Sequence, residues 1–293
     1  MCGPHSRRFA ITEPAVPLPG TPSASARDGY CAGNGFDETR PAAARVIASC
    51  LGGKDAYEID RHAAARLDAA LPGFPRLAQT NRDWLHGVVA DLAAAGVRQF
   101  LDLGTGLPYP PYLHHILGEH HRDHRVVYVD RDSMVVRHAV AHYKDRAVAV
   151  IHADLTDPDV VLRLAQRHGH LDLDRPVAVL LSGVLHYIDD RHVDIAALTR
   201  AYTDLLAPAS YLAISHYHRP GTDSDTAHLA ETAQASFLDI LGCGWFRTRE
   251  QIHSYFADLA ILAPGLRTPH ADAHARFRTP AGQLLLTGLA RKT

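Results

Sequence analysis

The stretch Phe100-Leu101-Asp102-Leu103-Gly104-Thr105-Gly106 holds the residues best placed to do chemistry: an apolar run that ends in an acid and enters glycines. Such a run reads as a buried parallel strand breaking into a tight turn, where glycine permits positive φ and lets a ligand approach the backbone. A second apolar run, Arg125-Val126-Val127-Tyr128-Val129-Asp130, also closes on an acid. A third, Ala147-Val148-Ala149-Val150-Ile151-His152, leads into Ala153-Asp154-Leu155. A parallel sheet would bring Asp102, Asp130 and Asp154 to one edge. An acid at the tip of the second strand suits a ribose, because one carboxylate can accept both hydroxyl protons. The three acids together predict a site for a nucleoside-type cofactor.

The turn discriminates between cofactors. A dinucleotide asks for a third glycine and a helix N-terminus aimed at the pyrophosphate. Here Gly106 is followed by Leu107-Pro108-Tyr109-Pro110-Pro111, and proline removes N–H donors where a pyrophosphate needs them. S-adenosylmethionine (SAM) has no phosphate and fits. Asp102 and Gly104 are then expected at its methionine end, with Gly106 giving backbone access. Asp130 takes the ribose role, while Asp132 is the better helix cap. Asp154, with Leu155 beside it, is expected to meet the adenine, although Asp154 could instead cap a helix starting near Asp157-Pro158. Arg82 could fork onto the SAM carboxylate with Asn81 beside it. Gly53, in Gly53-Lys54-Asp55, and Ser182 complete the cofactor set.

Candidates for the reaction itself lie after the fourth and fifth strands. His186, in Ser182-Gly183-Val184-Leu185-His186-Tyr187, could take a proton from an acceptor hydroxyl, since imidazole titrates near neutrality. It could equally be a packing histidine. His216, in His216-Tyr217-His218, is a second polar candidate at the same edge. Tyr57 offers a ring that could stabilise a sulfonium by cation–π contact, or could simply be core. Methyl transfer asks mainly for alignment, because the sulfonium is already activated.

The elements that must position these residues alternate. Strands are expected near 98–103, 125–130, 147–152, 177–182 and 210–216, with helices near 111–121, 132–144, 157–168 and 190–206. This is an α/β, Rossmann-like, doubly wound parallel sheet. Residues 259–262 and 282–288 are two late strands with no crossover helix between them, which suggests a terminal antiparallel hairpin. Ahead of the sheet, three helices are expected over about 41–51, with Thr39 as cap, 56–71 and 75–95. They would make residues 37–96 a helical lid. Residues 1–36 read as a disordered or loosely ordered arm, 97–293 as the SAM-binding core, and about 220–247 as a helical insertion within it.

The 293-residue chain has a net charge of −2 and 46% hydrophobic residues, so it carries a sizeable core and no basic footprint for nucleic acid or an anionic membrane. A small-molecule substrate is expected. The four cysteines (Cys2, Cys31, Cys50, Cys243) show no C-x-x-C spacing and suggest no disulfide framework, which fits a cytoplasmic protein. The 21 histidines include a cluster at His114-His115 and His120-His121-x-x-His124. With no cysteine and few acids nearby it reads as a solvated helix face, so no metal is expected. A homodimer is compatible with the N-terminal helices as contacts.

The chain resembles the class I SAM-dependent methyltransferases, and more narrowly the actinobacterial S-adenosyl methyltransferase family once classed as a domain of unknown function. The resemblance rests on Leu51-Gly52-Gly53-Lys54-Asp55-Ala56-Tyr57, Asp60-Arg61, Asn81-Arg82, and 98–108. It continues in Val127-Tyr128-Val129-Asp130, Ala153-Asp154-Leu155, 175–181 and Leu185-His186-Tyr187-Ile188. It covers about residue 40 to the C-terminus. It implies a seven-stranded sheet with a reversed last strand and SAM at the carboxyl edge, but no single acceptor; the leading expectation is methylation of a small molecule of the secondary-metabolite type. Two stretches depart from the family pattern, 46–50 and 237–245, and both are expected to border the acceptor pocket. The alternatives are SAM chemistry at another carbon, by aminocarboxypropyl transfer or by cyclisation releasing methylthioadenosine, and a non-catalytic SAM-binding regulator.

Overall fold

The computed structural model describes residues 36–221, 225–269 and 279–293. The arm expected over 1–36 lies, but for Phe36, outside them. Seven strands form one sheet: β1 (Gln99–Leu103), β2 (Arg125–Asp130), β3 (Val148–His152), β4 (Val177–Ser182), β5 (Tyr211–Tyr217), β6 (Ala260–Ile261) and β7 (Leu285–Arg291). Their order is β3-β2-β1-β4-β5-β7-β6. The first five are parallel, and β7 runs antiparallel to both β5 and β6. The expected sheet and its reversed last strand are both present. The chain order turns back between β1 and β4, and in open α/β sheets a crevice opens at that point.

Both faces of the sheet are covered because its strands are apolar on both sides. On one face Leu101, Val127, Val179 and Ile214 pack against α6 (Pro158–Gly169), α7 (Ile195–Asp204) and α9 (Arg249–Ser254). On the other, Phe100, Val126, Ala178 and Leu180 meet Leu85, Val89 and Leu92 of α3 (Phe74–Ala94) and Leu113 and Leu117 of α4 (Leu113–His120). The second half of α3 therefore belongs to the layer that covers the sheet. Its first half turns to α1 (Ala43–Cys50), α2 (Glu58–Ala70) and α8 (Asp225–Leu241), packing Phe74 and Leu77 with Val46, Leu67 and Phe237.

Helix α1 is not capped by Thr39, whose hydroxyl donates to Asp37 at 2.6 Å. Asp60 takes that place from α2. Its Oδ1 accepts the Ala42 N–H at 3.0 Å, and its Oδ2 accepts from Tyr57 N–H at 2.9 Å and Arg45 Nε at 2.7 Å. Arg45 and Asp60 are both fully buried.

Two further expectations are corrected. Cys243 is disulfide-bonded; cysteine spacing along a chain does not report which Cα atoms come within the ~4.4–6.8 Å that a bridge requires. The histidine cluster is a solvated face only in part: His115 and His120 are exposed, whereas His114 and His124 are buried. His114 Nδ1 lies 3.0 Å from the Tyr128 hydroxyl, and burial lowers its pKa to about 4. Among the described residues no group of three or more His, Cys, Asp or Glu could hold a metal, and no helix is long and apolar enough to cross a membrane.

Candidate active site

A cavity of about 200 Å³ opens at the reversal between β1 and β4. One water needs only ~10–15 Å³, so the space is of ligand size. Its floor is made by the tips of β1, β2 and β4, and its roof by α1 and α3.

At the tip of β1 the chain turns over β2: the Gly104 and Thr105 N–H groups both donate to Val129 O, at 2.8 and 3.2 Å. Gly104 has φ +72°, and a Cβ there would sit 2.3 Å from Val184 Cγ2, so only glycine fits. Gly106 has φ +68°, with nothing within 4 Å of where its Cβ would be, leaving its backbone open to the cavity. Its N–H donates to Asp130 Oδ2 at 3.0 Å, while Asp130 Oδ1 accepts from Asp132 N–H at 2.9 Å. Asp132, as expected, caps α5 (Ser133–His142) through the Met134 N–H. Period two puts Asp102 on the α3 side of β1, near Arg82. Burial raises both Asp102 and Asp130 to about 6, against the lowering by the Thr105 side chain at Asp102 and by backbone N–H groups at Asp130.

Arg82 and Asn81 enter the cavity from α3. Arg82 donates to the Tyr109 and Pro111 carbonyls and stacks over the Tyr109 ring, while its Nε is buried without a hydrogen-bond partner among the described residues. Asn81 Nδ2 donates to Ser182 Oγ at 3.2 Å, tying α3 to the end of β4. An aromatic group of Tyr112, Tyr128 and Tyr143 closes the cavity beyond Arg82, with ring centroids 4.6–4.9 Å apart along the chain of contacts. Sequence reasoning missed this group. Tyr128 carried a signal, two positions before Asp130 on the same strand face; Tyr112 and Tyr143 carried none.

Of the expected site residues, Asp102, Gly104, Gly106, Asp130, Leu155, Ser182, Arg82 and His186 line the cavity together. Four do not. Asp154 sits between the cavity-lining Ala153 and Leu155, and its Oδ1 accepts from the Thr156 N–H and hydroxyl. The Gly53 N–H closes the end of α1 onto Ala48 O. Tyr57 lies under Arg45, whose guanidinium is 4.8 Å from the ring centroid, so its face already holds a cation. His216 is fully buried behind His186 with Nδ1 2.7 Å from its neighbour's carbonyl, and burial brings its pKa to about 3. Of the two departures, 46–50 does border the cavity through Ile47 and Ala48, whereas no residue of 237–245 lines it. Phe237 instead supports Tyr217 from behind, with ring centroids 5.2 Å apart.

His186 is 1% exposed, stacked on Tyr217 with centroids 3.7 Å apart, and neither of its ring nitrogens has a hydrogen-bond partner among the described residues. Burial and the nearby His216 and Arg247 hold it well below the usual histidine range, so the ring is neutral.

The carboxylate at β2, the open glycine backbone and Arg82 suit the ribose, the sulfonium-bearing chain and the carboxylate of SAM, and no step in the turn asks for a phosphate. The sequence profile of the S-adenosyl methyltransferase family matches residues 31–293. A provisionally assigned methyltransferase from Thermobifida fusca YX is 35% identical, with 87% of this chain and 96% of that one covered at a TM-score of 0.79. A DUF574 family protein from Streptomyces avermitilis MA-4680 is 29% identical, covering 88% and 99% at the same TM-score of 0.79. No curated protein matches the chain.

Proposed function

Because this chain belongs to the S-adenosyl methyltransferase family, with SAM as its cofactor, we propose that it methylates a small molecule held under α1 beside the tips of β4 and β5. One observation carries the reading. The cavity runs without a break from the acid-lined strand tips to a wall of Ala43, Ile47, Leu51 and Leu77 that bears no charge. A cavity of this size, roofed by α1 and α3, admits a small acceptor more readily than a folded chain or a duplex.

Bound SAM supplies an electrophilic methyl group. In this reading Asp130 accepts the ribose hydroxyls with lone pairs that the Gly106 and Asp132 N–H groups leave over. Arg82 holds the carboxylate, Asp102 and Gly104 flank the methionine chain, Leu155 packs on the adenine, and Ser182 holds Asn81 at the transfer point. Asp154 meets the adenine only if its carboxylate turns from Thr156. Gly53, Tyr57 and His216 shape or support the walls.

Mass spectrometry of the protein incubated with SAM alone tests the reading. SAM should stay intact and bound, and Asp130→Ala should weaken binding by at least about tenfold, the loss of hydrogen bonds to a charged group. Accumulation of methylthioadenosine would mean attack at another carbon and would overturn methyl transfer.

A further inference from the structure

Beyond Arg82 the cavity ends in an aromatic corner whose hydroxyl groups have no role in the binding described above. Asp102 on β1 and Tyr128 on β2 are partners in the parallel register, so both side chains leave the sheet on its α3 face. Tyr143, which ends α5, sets its ring centroid 4.6 Å from that of Tyr128 and 4.9 Å from that of Tyr112. Tyr143 is therefore a neighbour of Asp102, and it lines the cavity together with Arg82.

The polar atoms of this corner divide into those already engaged and those left open. His114 takes the Tyr128 hydroxyl, through Nδ1 at 3.0 Å and its backbone N–H at 3.3 Å. The Tyr109 and Pro111 carbonyls take Arg82 Nη2, and Arg82 Nε is buried. Arg82 Nη1 and the Tyr143 hydroxyl have no hydrogen bond among the described residues, and neither atom is buried. Of the ionisable groups around Arg82, Tyr143 and Asp102 act on its charge most strongly, so the two open donors are close neighbours. Burial, with the Asp102 carboxylate nearby, pushes the Tyr143 pKa above the ordinary phenol range, so its hydroxyl keeps a proton to donate.

We propose that Tyr143 is a specificity-determining residue of the cofactor site, its hydroxyl donating to the α-carboxylate of SAM alongside Arg82 Nη1. The inference rests on the reading that Arg82 holds that carboxylate, and it adds the second donor. A ribose on Asp130 leaves the cofactor's tail to cross to the adjacent strand, ~4.8 Å away, where Asp102 ends beside this corner. The tail is a zwitterion, and Asp102 and Arg82 offer one charge of each sign. A phenol adds a donor to the carboxylate without adding a charge that would repel the ammonium.

The test is calorimetry on the full chain with two ligands, SAM and decarboxylated SAM, which keeps the sulfonium and the amine and lacks only the carboxylate. The wild type should bind SAM at least about tenfold more tightly. Tyr143→Phe keeps the ring and removes the hydroxyl, and it should weaken SAM about tenfold, as for a lost hydrogen bond to a charged group. Its affinity for decarboxylated SAM should stay within about twofold, which also shows that the variant is folded. Arg82→Gln should narrow the same preference. Equal weakening of both ligands by Tyr143→Phe would make the residue a packing group and overturn the proposal. So would an unchanged preference in Tyr143→Phe beside a narrowed one in Arg82→Gln, and the Arg82 reading would then stand. A wild type that binds the two ligands equally, or binds neither, would overturn both.

Discussion

Asp102 and Asp130 are carboxylates whose burial makes the proton hard to lose, and this sets how the site responds to pH. With each raised from 3.8 to about 6, the folded protein binds more protons than the unfolded chain between those values. Their contribution to stability is therefore fully present below about 4 and is lost as pH rises through about 6. Cofactor binding has the opposite sign, since the ribose hydroxyls need Asp130 ionised to accept them. We expect SAM affinity to be flat from pH 7 to 8 and to fall by up to about tenfold per unit below about 6. Calorimetry across pH 5–8 checks this, with Asp130→Asn expected to flatten the curve; an affinity that rises on acidification would contradict the assignment. Among individual residues, the strand-end acids were legible in the sequence because a strand that stops at an acid and a glycine is a local pattern. Tyr57 and His216 were not, since what decides their role is what lies against them. Arg45 already occupies the tyrosine face, and β5 carries His216 behind His186.

Helix α1 forms the uncharged wall, yet it is eight residues long and has no side-chain cap of its own. Helices this short are marginal without tertiary support. Asp60 supplies it by bonding the N-terminus of α1, the N-terminus of α2 and Arg45 at once. Replacing it with alanine removes a cap and strips a buried guanidinium of its carboxylate. The expected cost of Asp60→Ala is about 3–5 kcal/mol, the range for breaking a buried pair. Hydrogen exchange should show α1 losing protection before β1 does; uniform loss across both would mean that the helix and the sheet open together. The acid at position 60 was visible in the sequence as part of the Asp60-Arg61 signature, but the helix it serves first is the one before its own. A pattern read along one helix cannot report a cap that crosses to another.

Across the whole molecule, the cavity is walled by residues from 42 to 285, so a bound cofactor links helices and strands far apart in sequence. Binding to the folded state alone stabilises it by mass action, about 2.7 kcal/mol at a hundredfold excess over Kd. For a chain of this size that is a rise in Tm of roughly 5–10 °C. SAM should produce it in a thermal melt, and Asp130→Ala should remove most of it. A shift of equal size in that variant would place SAM elsewhere. The parallel core and its strand ends were determined by the sequence alone, because apolar runs, glycine turns and the helical period are written within a few residues of one another. The extra antiparallel pair was legible for the same reason, from two late apolar runs without a crossover helix between them. Only the tertiary structure decided which side chains share the cavity. It kept residues 237–245 out of the cavity lining and set Phe237 behind Tyr217. It bridged Cys243, buried His114 against Tyr128, and stacked His186 on Tyr217 with its ring nitrogens buried and unpaired among the described residues. Each of these outcomes depends on packing between segments distant in the chain, and that contact has no local signature to read.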